Sequence, residues 1–229
     1  MSLLTPMLRT SPLTDWFSDV QRVQGMLDFE AALVRAEVEC GLVPQTALNP
    51  IIESCRHEKI DFAALGQAAA SAGNLAIPLV KQLTARVKER NEAAARYVHW
   101  GATSQDAIDT GFILQLRGAL AETESLLQRL LDALARQAER HQDTVMPGRT
   151  WMQHALPVTF GLKLAGTLDA LLRWQVRLRE MRARVLALQF GGAAGTLDSL
   201  KTQAPPIAAA LAKALDLQLP DAPWHSQRD

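Results

Sequence analysis

An all-α fold is what this sequence predicts, and three observations predict it. Apolar residues recur at three- and four-residue steps along most of the chain, the spacing that lines one face of a helix. Alanine and leucine dominate those segments, and runs of alternating β-branched residues are missing. Helix-ending glycines and prolines punctuate them, as in "CGLVP" at residues 40–44 and "FGGAAG" at residues 190–195.

The elements follow in order. A first helix over Val20–Cys40 carries Val23, Met26, Leu27, Leu33, Val34 and Val38 on its apolar face. Gly41 closes it in the position where a left-handed residue ends a helix, and Pro44 blocks continuation. Shorter helices are predicted at Gln45–Glu58, Asp61–Ala72 and Ile77–Val87, the last two separated by "AGNLAIP". Gly73 and Asn74 are the residues there that tolerate a left-handed backbone. From Thr103 the scale changes. Ile113, Leu116, Leu120, Leu127, Leu130 and Leu134 mark one face of a helix running to about His141. A second long helix is predicted to start at Pro157, where a missing N–H costs nothing. Its stripe is Leu164, Leu168, Leu171, Leu178, Met181, Val185 and Leu188, its solvated face Arg173, Arg177, Glu180 and Arg184, and "FGGAAG" ends it. A third helix runs from about Pro205 to Leu217.

Helices of that length belong to an elongated bundle, in which neighbours cover each stripe. The chain is therefore expected to hold an N-terminal helical domain over residues 1–102 and part of a long-helix bundle over residues 103–229. Ser226 and Asp229 read as the opening of a capping box. A bundle half built at a helix start reads as the N-terminal part of a longer protein.

Composition excludes several functions. With 24 basic and 24 acidic residues and 5% aromatics, the chain lacks the positive surface and stacking platforms of a nucleic-acid binder. Ala155–Trp174 is interrupted by Pro157, Lys163 and Asp169 and fails as a membrane span. Cys40 and Cys55, without a secretory leader, read as reduced thiols in the cytoplasm. No zinc-type spacing, glycine-rich phosphate loop or G-x-S-x-G elbow occurs, so the expected chemistry uses no metal and no cofactor.

Two polar stretches stand at predicted helix ends. In "HWGATSQDAIDTG", residues 99–111, Thr103 as N-cap with Asp106 three residues on would satisfy free N–H groups. That leaves His99, Ser104, Gln105 and the glycines at 101 and 111 without a task. A helix start offers unpaired N–H groups and a positive dipole end, which suit a carboxylate or phosphate, and the Thr103 and Ser104 hydroxyls add donors. In "PGRTWMQHALPVTFG", residues 147–161, Arg149, Thr150, Gln153 and His154 crowd ahead of Pro157 and read as a second anion-friendly helix start, or as a solvated surface turn. Asn74 in "SAGNLAIP" reads as a binding residue or as a turn residue, and His57, His141 and His225 read as solvated.

These stretches carry a resemblance. "GATSQDAIDTG" resembles the first signature of the fumarase/aspartase superfamily and "GRTWMQHALPVTFG" its second. Within the superfamily, "QGMLDFEAALVRAE", "AGNLAIPLV", "LQFGGAAGTL" and "PWHSQRD" are most similar to the lactonising enzymes, or cycloisomerases, and the likeness runs from about Val20 to the end of the chain. The resemblance implies a helical homotetramer with sites assembled from several subunits. It implies chemistry through an aci-carboxylate carbanion, here the cofactor-free addition of a carboxylate to a double bond of a small tricarboxylate in aromatic catabolism. It also implies roles. Thr103 and Ser104 match the carboxylate-binding pair, Arg149, Thr150 and Gln153 the second substrate-binding segment, and His99 a histidine ahead of the first signature in adenylosuccinate lyases. Ser104 and His154 are the candidate catalytic residues, with Asn74 and Trp151 added to the binding set.

Trp151 stands where adenylosuccinate lyases carry a histidine that protonates the leaving group. A departing carboxylate, whose acid has a pKa near ~4, needs little protonation, so an acid there gains little. An adenylosuccinate-type lyase is the alternative that Trp151 disfavours; a non-catalytic helical oligomerisation fragment is the other. The superfamily's third signature, a mobile glycine-serine loop bearing the catalytic serine, does not occur in these 229 residues, so they are expected to give no turnover alone.

Overall fold

The structure, a computed structural model, describes residues 11–225, 227 and 228. The capping box read at Ser226 and Asp229 lies outside the described residues. Helices dominate: α1 (Leu13–Trp16), α2 (Asp19–Glu39), α3 (Gln45–Ile52), α4 (Phe62–Ala72), α5 (Ala76–Arg90), α6 (Ser104–Arg140), α7 (Phe160–Val185) and α8 (Ala204–Leu215). A single hairpin of β1 (Val145–Thr150) and β2 (Gln153–Thr159) is the exception to the all-α expectation among the described residues. Contacts divide the chain into two units, Met1–Gly118 with Val185–Asp229, and Ala119–Arg184. α6 gives its first turns to the former and the rest to the latter.

The first unit is built around α2. Ser18 caps it by accepting from the Gln21 N–H at 3.3 Å. At its far end Gly41 is left-handed (φ 73°), and the Leu42 and Gly41 N–H groups return to the carbonyls of Glu37 and Val38 at 2.8 and 3.0 Å. That pair of bonds is a Schellman closure, which Gly41 alone foretold. Val23, Met26, Leu27, Phe29, Leu33 and Val34 are buried, so α2 is covered on most of its surface; α8 packs against it with Ile207 and Leu211 buried. The helix predicted at Gln45–Glu58 is shorter, ending at Ile52 with a separate 3-10 turn at His57–Lys59. Asp61 caps α4 through the Ala64 N–H at 3.0 Å.

Gly25 of α2 and Gly111 of α6 meet backbone to backbone. A Cβ built on Gly25 would lie 2.6 Å from the Gly111 carbonyl oxygen, and one on Gly111 would lie 2.9 Å from the Met26 nitrogen. Neither partner is a flexible side chain that could move aside. This crossing accounts for Gly111, which the helix start did not. Gly111→Ala is expected to destabilise the chain by about 1–3 kcal/mol, because the helices must separate and the core loosens around them. Urea denaturation checks it; a change within about 0.5 kcal/mol would show the crossing to be tolerant.

The second unit holds the later turns of α6, the hairpin and α7. Arg182 reaches Glu124 at 2.6 Å, and Gln175 reaches Gln128 at 2.8 Å, linking the two helices. Leu164, Leu168, Leu171, Leu178 and Val185 are half-buried and Arg173, Arg177, Glu180 and Arg184 exposed, as the stripe predicted, whereas Met181, also placed on the stripe, is exposed because no neighbour among the described residues covers it. Two expectations for α7 are corrected. It begins at Phe160, not Pro157, because Thr159 is the capping residue, accepting from the Leu162 N–H at 3.1 Å. Pro157 instead sits in β2 opposite Pro147, a pairing that a two-stranded hairpin with free edges tolerates. α7 also ends at Val185, ahead of "FGGAAG", so Leu188 is not on its stripe but fully buried in the first unit.

Leu130, Leu162, Leu172, Trp174, Val176 and Met181 are exposed in the second unit. So large an apolar surface on one helix pair is what a partly assembled bundle presents.

Candidate functional site

Two sets of predicted residues can each be described by itself. The first lies at the start of α6. Gly101 (φ 71°) turns the chain, and a Cβ there would strike the Leu200 side chain at 2.5 Å. Thr103 and Ser104 follow, both half-buried, at the end of α6 where N–H groups lack intrahelical partners.

Asp106 fixes this end. It is 0% exposed, and each carboxylate oxygen accepts twice. Oδ1 takes the Gln189 amide at 3.0 Å and the Gly191 N–H at 2.9 Å; Oδ2 takes the Gly192 N–H at 2.9 Å and the Thr103 N–H at 3.0 Å. The last of these is the reciprocal half of the predicted capping box. The other three were not legible locally, since their partners lie more than eighty positions away.

Gln189, fully buried, is the second centre. Its Oε1 accepts from the N–H groups of Trp224 and His225, both at 2.8 Å, which fixes which end of the amide is nitrogen. Its Nε2 then donates to Asp106 and to Nδ1 of His225 at 2.9 Å, so the His225 ring carries its hydrogen on Nε2. Thr110 Oγ1 donates to the Gln189 carbonyl at 2.8 Å and accepts its N–H at 3.0 Å. Asp109 accepts from Gln105 at 2.8 Å and pairs with Arg228 at 2.5 Å. Residues of the segments 101–111 and 189–192, with Trp224, His225 and Arg228, thus form one hydrogen-bonded assembly behind Thr103 and Ser104.

His99 is held from the other side. Its Nδ1 lies 2.5 Å from Oε1 of Glu30, whose side chain is 3% exposed. Burial alone would lower the imidazole's pKa. The Glu30 charge and hydrogen bond, with Asp106 beyond, more than reverse this, so His99 keeps its proton above the ordinary histidine value. Asn74 spends its Oδ1 on the Ile77 N–H at 3.0 Å, capping the start of α5. The turn reading of Asn74 therefore describes what its oxygen does.

The remaining histidines are not the solvated side chains that the sequence suggested. His225 is tied to Gln189, His57 lies half-buried with Nδ1 2.9 Å from Gln24 Oε1, and His141 stacks edge-on against Phe160 at 5.1 Å. Each is engaged by a neighbour that only the fold supplies. Cys40 and Cys55 are both free thiols, and burial drives that of Cys55 far upward.

The second set lies on the hairpin. Arg149 pairs with His154 and Thr150 with Gln153 across the strands, with a bulge between Pro147 and Arg149 at Gly148. A Cβ on Gly148 would meet the Leu156 carbonyl oxygen at 2.6 Å, so the bulge requires glycine. Trp151 and Met152 form the two-residue tip, both at positive φ (51° and 59°), the backbone of a type I′ turn. That turn ordinarily takes Asn-Gly. Two bulky residues in it carry strain, and they are 92% and 104% exposed. Arg149, Thr150, Gln153 and His154 are exposed as well. They do not stand at a helix start: α7 begins six residues after His154, so a dipole-assisted site at Pro157 is withdrawn. What remains is a two-stranded ribbon presenting a guanidinium, a hydroxyl, an amide and an imidazole.

Among the described residues, no group of three or more His, Cys, Asp or Glu is placed to hold a metal ion. No helix of these residues is long and apolar enough to cross a membrane. A family model described as "Lyase" matches residues 8–229. The chain belongs to this lyase family. Over 219 residues the chain is 61% identical to 3-carboxy-cis,cis-muconate cycloisomerase of Pseudomonas aeruginosa, an alignment covering 96% of this chain and 48% of that protein. Two crystal structures are similar throughout. The 3-carboxy-cis,cis-muconate lactonizing enzyme of Pseudomonas putida matches with a TM-score of 0.96 at 54% identity, over 99% of this chain and 52% of that one. The β-carboxy-cis,cis-muconate cycloisomerase of Acinetobacter calcoaceticus matches with a TM-score of 0.96 at 45% identity, over 100% and 53%. The resemblance to the cycloisomerase branch of the superfamily, drawn from "QGMLDFEAALVRAE", "AGNLAIPLV", "LQFGGAAGTL" and "PWHSQRD" together with the two signatures, is borne out. The chain spans about half the length of the curated relatives it matches.

Sequence reasoning missed Glu30, Asp106 as more than a cap, and Gln189. A buried Glu in an apolar helix face and a Gln beside "FGGAAG" were the available signals.

Proposed function

We propose that the whole protein is a cofactor-independent cycloisomerase converting 3-carboxy-cis,cis-muconate to a carboxymuconolactone, in the protocatechuate branch of aromatic catabolism. The observation that carries this reading is the 61% identity to the Pseudomonas aeruginosa cycloisomerase across 96% of the chain. One carboxylate oxygen of the substrate adds to a carbon of the diene, and the electron pair displaced moves toward the neighbouring carboxylate. A proton then reaches the adjacent carbon, so the product is an isomer of the substrate.

The substrate carries three carboxylates, and the two sets of donors suit it. Thr103, Ser104 and the free N–H groups of α6 bind one carboxylate at the positive end of the helix dipole. Arg149, Thr150, Gln153 and His154 bind carboxylate through charge-assisted bonds, with Trp151 and Asn74 lining the substrate. Donors fixed in advance stabilise the charge that builds as addition proceeds. Asp106 serves this by holding the α6 start rigid. Ser104 and His154 are the proposed catalytic groups of these residues. The exposed apolar faces of α6 and α7 support a homotetramer, in the cytoplasm, with no nucleic-acid or membrane partner.

The test is spectrophotometric, on the whole protein. Loss of the diene absorbance of 3-carboxy-cis,cis-muconate is expected, with no cleavage of adenylosuccinate; the reverse pattern would overturn the reading. Trp151→His is expected to leave lactonisation no faster, since a carboxylate leaving group needs no acid. A gain of about tenfold or more would count against that account.

A further inference from the structure

We propose that Glu30 is a positioning residue of this site: its buried carboxylate grips Nδ1 of His99 and leaves Nε2 as a fixed, charged N–H donor for one carboxylate of the bound acid. The inference rests on the functional reading above and deepens it, making His99 a binding cation and not a proton donor to carbon.

Three observations carry it. The Glu30 oxygen and the His99 nitrogen are 2.5 Å apart, and the carboxylate is 3% exposed. A charge so buried is retained only where it is paired. His99 keeps 16% exposure, and with Nδ1 occupied the ring nitrogen left to meet a ligand is Nε2. Finally, His99 has a left-handed backbone (φ 60°), unusual for a side chain of that size. It stands four residues before Thr103, in the segment that leads into α6.

The charged groups that act on the ring come from two helices. Glu30 projects from α2, and Asp106 from the first turn of α6. Asp106 is saturated by four donors, which leaves Glu30 as the partner. Both acidic groups hold the proton on the ring. A histidine so held is a poor proton donor at neutral pH and a dependable cation, which is what a multiply charged acid needs for binding. The arrangement has the form of the carboxylate–imidazole pairs that fix a histidine's tautomer and orientation.

Two measurements test it. In the 229-residue chain, the His99 Cε1–H resonance is followed by NMR against pH. His99 is expected to titrate above ordinary histidine, and Glu30→Gln, an amide of the same shape, to bring it down. A His99 that titrates at or below the ordinary value in the unaltered chain overturns the inference without any variant having to fold. In the whole protein, Glu30→Gln is expected to raise KM for 3-carboxy-cis,cis-muconate about tenfold or more at pH 7.5, with kcat within about threefold. The alkaline limb of the kcat/KM profile should move to lower pH, and Glu30→Asp should recover part of both. A fall in kcat at unchanged KM would make His99 an acid catalyst and overturn the assignment. Unaltered whole protein that does not turn over this acid would overturn the functional reading instead, and that is seen before any variant is made.

Discussion

Asp106→Ala is expected to lower the unfolding free energy of the chain by about 3–5 kcal/mol, the largest loss of any single truncation described here. The carboxylate is the common acceptor for the backbone N–H groups of Thr103, Gly191 and Gly192 and for the Gln189 amide, all at 2.9–3.0 Å. Removing it strands four buried donors, each of which costs roughly 1–3 kcal/mol where no water can replace the acceptor. Asp106→Asn keeps the shape but turns one acceptor into a donor that faces donors, so it is expected to lose nearly as much. Urea denaturation gives the magnitude. Hydrogen exchange gives the location: the amides of Thr103, Gly191 and Gly192 should lose protection ahead of the α2 core. A loss under about 1 kcal/mol with those amides still protected would show that the network is held by something other than this carboxylate.

The second large effect is a dependence on pH with an identifiable source. Glu37 lies wholly buried on α2, and neither of its side-chain oxygens has a hydrogen-bond partner. Burial, with the charge of Glu30 on the same helix added, pushes its carboxyl up from 4.5 to about 9. The folded chain therefore keeps a proton there that the unfolded chain gives up. Where the folded value is the higher one, stability is complete below the unfolded pKa and declines as pH rises toward the folded value. Between pH 5.5 and 8.5 the decline from this group alone is about 4 kcal/mol, at 1.36 kcal/mol per pH unit. Glu37→Gln, which keeps the neutral shape, is expected to remove that slope and to be the more stable chain at pH 8.5, with little difference at pH 4.5. Denaturation curves at the two ends of the range check it, and parallel pH profiles for the two chains would refute it.

How much of this was legible in the sequence depends on how far each residue's partner lies along the chain. α2 was read to within a residue at each end because its cap, its stripe and its closing glycine are local. α6 was read equally well, from Thr103 to His141. The hairpin was not. Its strands lack β-branched alternation, each contains a proline, and its tip is Trp-Met where the turn favours Asn-Gly, so every local signal pointed away from a strand. The stretch at residues 99–111 was read correctly as polar for a reason and only partly correctly as to the reason. Thr103 and Ser104 are the residues of this stretch proposed to meet a ligand. Asp106, Asp109 and Thr110 are instead engaged with residues 189–192 and 228, Gly111 with Gly25, and His99 with Glu30. A sequence shows that such side chains are costly to bury without partners; it does not show which distant segment supplies them.

The Asp106 network also bears on how the chain is made. Synthesis runs from the N-terminus, so Thr103 and Asp106 leave the ribosome long before Gly191, Gly192 and the Trp224–His225 backbone exist to meet them. During that interval the start of α6 is a solvated helix terminus with an unengaged acid in its first turn. Its final shape waits for more than a hundred further residues to emerge. A nascent chain arrested just short of Gln189 should thus leave the start of α6, and the face of α2 that α8 later covers, open to the translation machinery and its chaperones.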